Sequence, residues 1–579
     1  MNSTRWKIRA ADQRAVEHMA VETGVPRPIA RALVLRGFNT PAQAELFMNP
    51  RLTDLSDPFL LPDMRKAVDR IWSAIDAGET LAVFGDYDVD GITSAALLSR
   101  VLTGLGADVR TFIPSRLDEG YGLSMDAMER CLDEYSPAVL VSVDCGVNSV
   151  ESVRYAQQRG VDVIVTDHHE PAAQTAPAFA LINPKLGREV ELDYLSGVGV
   201  VFKTAHALIK DGRDAGRQSA GRLDLRDYLD LAALGTVADI VPLIGENRIL
   251  VRHGLSRMDR TGWVGLQALK AVAGLRGESD TFRLGFQLAP RINAAGRIGQ
   301  PEMALRLLTT DDRAEARQIA EQLDETNIER RRIEQEITDQ AFAEIETFYN
   351  PTAHFGLVVA GAGWHPGVVG IVASRVSKHY NRPAIVMGIE EDGCARGSCR
   401  SIAEFDILIG LEAGRAHLDT FGGHKMAAGL VVKPGQLEPF KETFNTAAAA
   451  VLGEMDLSPV QQVDAVVEPG EIGWEFWEQF RQLQPFGQDN PEPVWLMQQV
   501  RVSGSPRVVG KDHLKLSFKA GDRTFDAIAF NYPLDELPAG ELDIAFTLKE
   551  NKWDGNQSLQ LHVKNIRSAN PLDRTESGL

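Results

Sequence analysis

Cysteine is scarce in this chain. The four present, Cys131, Cys145, Cys394 and Cys399, do not make a disulfide framework. Cys394 and Cys399 flank Ala-Arg-Gly-Ser, which is not a zinc-ligand spacing, and no second pair accompanies them. All four read as free thiols of a reducing compartment. Long apolar runs are missing too, so no membrane span is expected. The first residues, Met1-Asn-Ser-Thr-Arg-Trp6, lack the apolar centre of a signal peptide, which points to a cytoplasmic protein. Internal repeats and low-complexity tracts are also lacking. Positive charge is in deficit: 61 Lys and Arg stand against 80 Asp and Glu, a formal net charge of −19. This excludes broad, nonspecific polyanion binding but leaves room for a narrow basic channel.

What is present is length and ordinary globular composition. A chain of 579 residues is too long for one core, so three or more domains are expected. Residues 1–50 read as a helical extension with polar joints. From 51 to 270 the texture is α/β, with apolar strand candidates at 80–84, 108–113, 138–143 and 161–166 and helix-like segments between them. Such alternation predicts a parallel, doubly wound sheet. An apolar helix candidate at 228–237 is followed by Asp239. Residues 271–348 form a connecting region whose charged part, 311–348, carries Ile319, Leu323, Ile328, Ile333 and Ile337 at roughly helical spacing. That spacing predicts a long helix, either a solvated spacer or a substrate-contacting element. A second α/β unit is expected at 349–455, with strands at 357–360 and 384–387 around a helix at 368–379. From 456 to 570, five short strand candidates separated by turns suggest an OB-like β-barrel, and 571–579 reads as a tail.

The most informative run is Val83-Phe-Gly-Asp86-Tyr-Asp88-Val-Asp90-Gly91. Three carboxylates at the end of an apolar strand repel one another unless a cation neutralises them. Val141-Ser-Val-Asp144 repeats the pattern, Val163-Ile-Val-Thr-Asp167-His168-His169 adds an acid and two imidazoles, and Asp239 supplies one more carboxylate. A single Asp after a strand is usually a turn or capping residue. Five acids and two His on one sheet edge are much harder to explain without a counter-ion. Asp and His ligands with open positions suit Mn²⁺ or Mg²⁺, and the imidazole favours Mn²⁺.

Two further groups of residues are suited to phosphate. Ser115-Arg116-Leu-Asp-Glu-Gly-Tyr-Gly122 follows a strand and is either a connecting loop or a phosphate contact through Arg116. In the second unit, Trp364-His365-Pro-Gly, Arg396-Gly-Ser398-Cys-Arg400 and Gly422-Gly-His424 offer backbone N–H groups, a hydroxyl and guanidinium forks, the donors that a terminal phosphate needs. Their glycines equally suit tight turns. In the last unit Arg507, Lys511, Lys515 and Lys519 offer charge, and Trp553 either stacks a base or anchors the fold.

Asp86-Tyr-Asp-Val-Asp-Gly91 with Asp167-His168-His169 resembles the DHH phosphoesterase family, and Phe421-Gly-Gly-His424-Lys-Met-Ala-Ala-Gly429 resembles the signature of that family's second domain, DHHA1. The resemblance covers about residues 50 to 570, and the order of motifs matches the branch that degrades single-stranded DNA from its 5′ end in repair and recombination. It implies a dinuclear centre. Asp88 and Asp144 would hold one metal, and Asp90, Asp144, His168 and Asp239 the other. Asp86 stands where some relatives carry a His and would ligate directly or through water. Asp167 would orient His168 or the strand-end turn, and His169 would face the scissile phosphate. Water would attack in line, with no side-chain nucleophile. Ala289-Pro-Arg291-Ile-Asn293-Ala-Ala-Gly296-Arg297 resembles a further family motif, which assigns Arg291, Asn293 and Arg297 to DNA phosphates or the rim of the metal site. Ser398, Arg400 and His424 would grip the 5′ end. The resemblance also implies a monomer working with a single-strand-binding protein and a helicase. Two other readings compete: a phosphoesterase for short oligonucleotides or cyclic dinucleotides, and an inactive DNA-binding scaffold. The N-terminal and barrel domains favour a polymer, and the intact ligand set weighs against a scaffold.

Overall fold

The computed structural model describes residues 4–115, 122–188, 190–510, 512–553 and 556–569. Its first sheet is wholly parallel, in the order Asp108–Phe112, Thr80–Gly85, Val139–Val143, Asp162–Thr166, Ala180–Ile182. The central strands are buried on both faces, which is why they read as continuous apolar runs. Val83, Val141 and Ile164 face the larger core under the helices Met64–Ala77, Val89–Leu105 and Gly197–Asp214. Phe84, Leu140 and Val165 face a second core under Met125–Tyr135 and Val150–Gln158. Strand order reverses beside Thr80–Gly85, so the crevice between its carboxyl end and that of Val139–Val143 is a topological switch point, where such sheets place ligands.

The predicted strand bounds of the two α/β units hold to within a residue or two, whereas several barrel strands run three to seven residues past theirs. The strand Ala180–Ile182, apolar but three residues long, and the mostly polar N-terminal strand Arg5–Ile8 are not among the candidates. Arg5–Ile8 pairs in parallel with Val460–Val463, and the helices Gln13–Thr23, Arg27–Val34 and Pro41–Met48 share one core with the C-terminal barrel. The N-terminal extension is therefore part of the barrel's body.

The long helix runs Arg313–Phe348, about 54 Å at 1.5 Å per residue, and Asp312 caps its start. It is neither a solvated spacer nor a free arm. Ala316, Ile319, Ala320 and Leu323 pack into the core of the first unit, and Ile337, Ala341 and Ile345 into that of the second. Ile328, between the two contacts, is 53% exposed. The second sheet has the order Leu418–His424, Ala427–Val432, Ala395–Arg400, Ala384–Ile389, Leu357–Ala362, parallel only in the last pair. Gly422 and Gly423 lie within a strand of this sheet, not in a turn. In the last unit Trp495–Val509, His513–Ala520, Arg523–Ala529, Asn556–Ser568 and Leu542–Trp553 pair in that order, and the first and last also pair, closing a five-stranded barrel. The architecture is the expected α/β class: a parallel-sheet unit, a connecting helix, a second α/β unit and an OB-like barrel. Among the described residues no helix is long and apolar enough to cross a membrane.

Candidate metal centre and substrate cleft

Three strand ends and one helix end meet at the switch point. Asp88 is the N-cap of Val89–Leu105, and its Oδ1 accepts from the amides of Asp90 (2.9 Å) and Gly91 (3.1 Å). Asp90 sits in the first turn of that helix. Its two carboxylate oxygens accept from Gly197 N (2.7 Å) and Val198 N (2.8 Å), the first amides of Gly197–Asp214, where the helix dipole favours an anion. Asp144 follows its strand at φ 61, a left-handed conformation for a residue with a side chain. A Cβ on Gly197 would lie 2.3 Å from Asp144 Oδ1, so only glycine lets that helix approach. Asp239 is the C-cap of Leu229–Ala238.

His168 Nε2 lies 3.2 Å from Asp144 Oδ1 and 3.5 Å from Asp239 Oδ2. None of these three buried atoms has a hydrogen-bond partner among the described residues. Orphaned buried donors and acceptors of this kind suit the coordination of a cation. Ligand atoms within 4.8 Å of one another define three groups: Asp86, Asp88 and Asp144; Asp90, His168 and Asp239; and Asp144, His168 and His169. Asp144 and His168 each belong to two of them, and only the carboxylate has two oxygens with which to bridge.

The electrostatics agree. Burial, then the charge of Asp88, pushes Asp90 up to about 7. Burial, then Asp90 and Asp88, pushes Asp239 up to about 9, and the same forces carry Asp144 well above the carboxylate range. Burial, then His169, holds His168 down to about 3, so its imidazole is neutral, the form that binds metal. Asp167 is different: burial opposes its ionisation, yet hydrogen bonds bring it down to about 2. It accepts from Val147 N (2.8 Å), His168 N (2.7 Å) and His169 N (3.1 Å), and lies 2.7 Å from His169 Nδ1. The imidazole it orients is that of His169, and His169 is raised against its own desolvation by that contact.

A cleft of about 1100 Å³ runs from Tyr87, Asp88, Asn293 and Arg297 to Ser398, Arg400, Gly422 and Gly423. Arg297 Nη1 donates to Gly367 O (3.0 Å), and a Cβ on Gly367 would sit 2.3 Å from Arg297 O, so the two α/β units touch there. Arg396, Ser398 and Arg400 alternate along one strand and so share a face, and Arg400 Nη1 donates to Ser398 Oγ (2.9 Å).

Family models match three stretches: DHH family, N-terminal domain, at 80–236; DHHA1 domain at 354–450; and RecJ OB domain at 463–565. The single-stranded-DNA-specific exonuclease RecJ of Bacillus subtilis is 38% identical over 567 residues, covering 97% of this chain and 70% of the relative. This chain belongs to the RecJ family. RecJ of Escherichia coli is 36% identical, covering 87% of this chain and 90% of the relative. The crystal structure of Thermus thermophilus RecJ with Mn²⁺ superposes with a TM-score of 0.82 at 31% identity, covering 98% of this chain and 80% of that one.

Within this RecJ-type cleft the other expected contacts are dispersed. Asn293 Oδ1 accepts from Val89 N (3.2 Å) and so braces the acidic turn. Arg291 Nε is ion-paired with Asp324 (2.8 Å), its guanidinium turned toward the long helix. His424 is exposed on the same rung of the sheet as Arg400, outside the residues that line the cleft. Arg507 faces Lys515 across two barrel strands, and Lys519 faces Arg501. Arg116, Lys511 and the side chain of Trp553 lie outside the described residues. Arg396, offered by the sequence as a phosphate donor with Ser398 and Arg400, lines the cleft and pairs with Glu390 at 2.9 Å. Two features escaped sequence reasoning. Tyr87 lines the cleft, between two of the acids. Phe282 and Phe286 stack at 4.9 Å between centroids while 59% and 71% exposed, on the helical run that ends with Asn293 and Arg297.

Proposed function

We propose that this protein hydrolyses single-stranded DNA from its 5′ end, releasing nucleotides with the help of two divalent cations, in DNA repair and recombination. The observation that carries this reading is the convergence of Asp88, Asp90, Asp144, His168 and Asp239 on one strand edge that opens into the same cleft as Ser398 and Arg400. Asp86, Asp88 and Asp144 would hold one cation, and Asp90, Asp144, His168 and Asp239 the other. Mn²⁺ or Mg²⁺ bound there supplies Lewis acidity at the phosphate and lowers the pKa of water. Relatives described as single-stranded-DNA-specific exonucleases support the substrate, and Thermus structures with Mn²⁺ and with Mg²⁺ support the metals.

The chain's own residues do the rest. The amides of Gly197 and Val198 fix the Asp90 carboxylate, and the amides of Asp90 and Gly91 fix that of Asp88. Asp167 takes the Nδ1 proton side of His169 and turns the other ring nitrogen to the scissile phosphate. Arg297 contacts the backbone where the two units meet. Ser398 and Arg400 receive the terminal phosphate, and that reception sets the 5′ polarity. His424 closes the same rung. On the family resemblance alone, the enzyme is a cytoplasmic monomer that works beside a single-strand-binding protein and a helicase.

The test is digestion of end-labelled single strands with each end blocked in turn, under Mn²⁺ and under Mg²⁺. A 5′ block should stop nucleotide release and a 3′ block should not. Equal digestion of blunt duplex, or release that continues past a 5′ block, would overturn the reading.

A further inference from the structure

The body formed by the N-terminal helices and the barrel meets the nuclease unit at a junction centred on Arg248. This residue lies on the helix Gly245–Met258, shortly after Asp239, and is 2% exposed. Each of its five N–H donors has a carbonyl acceptor. Nε donates to Phe47 O (2.8 Å), Nη1 to Leu483 O (3.0 Å) and Pro485 O (3.4 Å), and Nη2 to Gln482 O (2.9 Å) and Gln484 O (2.8 Å). The guanidinium also stacks on the Phe47 ring, 3.7 Å from its centroid. No carboxylate pairs with it among the described residues; its charged neighbours are Arg252 and Arg36, which together with burial push its pKa down.

A buried cation without a counter-ion is costly, so packing alone would favour an apolar side chain here. What requires the charge is the segment 482–485, whose four successive carbonyls converge on one point. Only a planar fork with five donors satisfies them together with Phe47 O. The same segment is tied from its other side. Asn490 Nδ2 donates to Leu483 O (2.9 Å) and Pro485 O (2.7 Å), and Arg36 Nε donates to Asn490 Oδ1 (2.7 Å). Between these ties the loop reaches the catalytic elements. Gln488 O accepts from Leu243 N (2.9 Å) in the turn after Asp239, and Phe486 O accepts from Thr281 Oγ1 (2.7 Å) at the start of the helical run that leads to Asn293 and Arg297.

We propose that Arg248 is a positioning residue that fixes the barrel against the nuclease unit and so sets the preference for long strands over short oligonucleotides. The proposal rests on the exonuclease reading above. A strand that reaches the barrel gains most affinity when barrel and cleft stand at a fixed span, because the second contact then forms at the highest effective concentration. An oligonucleotide that fills only the cleft gains nothing from that span.

The test uses the full chain with Mn²⁺ and two 5′-phosphorylated substrates: a tetranucleotide and a strand of about 40 nucleotides, several times an OB-type site. Arg248→Met should raise KM for the long strand by about tenfold or more, at unchanged kcat, and leave the tetranucleotide unaffected. Arg248→Lys, with three donors for five carbonyls, should fall between. Equal losses on both substrates, or no change on either, would overturn the proposal. Should Arg248→Met fail to fold, Arg252→Met tests the same junction, since Arg252 Nη1 donates to Gln484 O (3.0 Å) and is less buried. The same split in KM is expected, and its absence counts against the proposal equally. A wild-type protein that leaves both substrates intact would instead defeat the exonuclease reading.

Discussion

Asp144 is the residue on which the site turns. It belongs to two of the three ligand groups, and its left-handed backbone costs about 1–3 kcal/mol that the surrounding sheet must hold. Asp144→Ala should abolish hydrolysis while leaving strand binding largely intact, measured by nucleotide release and by fluorescence anisotropy; an active variant would contradict the bridging role. Asp167 touches no reacting group and acts through His169, so Asp167→Asn should lower activity by roughly 10–100-fold. Gly197→Ala would drive a methyl against Asp144 Oδ1 and should weaken Mn²⁺ binding in calorimetry; unchanged affinity would show that the helix can retreat. The ligands were legible one by one, because Asp88, Asp144 and His168 each follow an apolar run. The glycine was not, because its importance lies in a helix distant in sequence that comes to rest on Asp144.

The central strands of the first sheet were readable because burial on both faces demands unbroken apolar runs, whereas the polar Arg5–Ile8 and the three-residue Ala180–Ile182 are set by their partners. The long helix shows a similar division. Its periodicity predicted a helix, but whether that helix floats or packs depended on two cores that the periodicity cannot see. Glu334 marks the packing: buried between Arg330 and Arg375, it ties the long helix to Val369–Tyr380. The helical run that carries Asn293 and Arg297 also carries the Phe282–Phe286 stack, two aromatic faces open to solvent on which bases can stack. Replacing both with Ala should weaken single-strand binding by about 1–3 kcal/mol for each base that no longer stacks, raising KM with kcat and melting temperature unchanged. A drop in melting temperature would mean that the pair supports the fold instead.

The whole molecule carries a cost at its metal centre that pH can reveal. Without metal, Asp90 and Asp239 hold their protons up to about 7 and about 9, far above the carboxylates of an unfolded chain. The folded state thus binds protons that the unfolded state has released, so stability from these groups is full below about pH 4 and is lost as pH rises toward 9. A divalent cation replaces those protons. The rise in melting temperature on adding Mn²⁺ to chelator-treated protein should therefore be larger at pH 8 than at pH 6, and a pH-independent increment would argue against binding at these carboxylates. The sequence by itself determined the chemistry and the class of fold, since apolar runs ending in acids and imidazoles have few physical explanations other than strand ends around cations. Only the tertiary structure decided that the first fifty residues belong to the barrel, that Asp167 serves His169, and that Arg248 closes the junction between the two bodies. The first and the last depend on groups that meet across long stretches of chain, and a backbone carbonyl is the same whatever residue carries it. The second depends on the strand-end turn, which presents His169 rather than its neighbour to the Asp167 carboxylate.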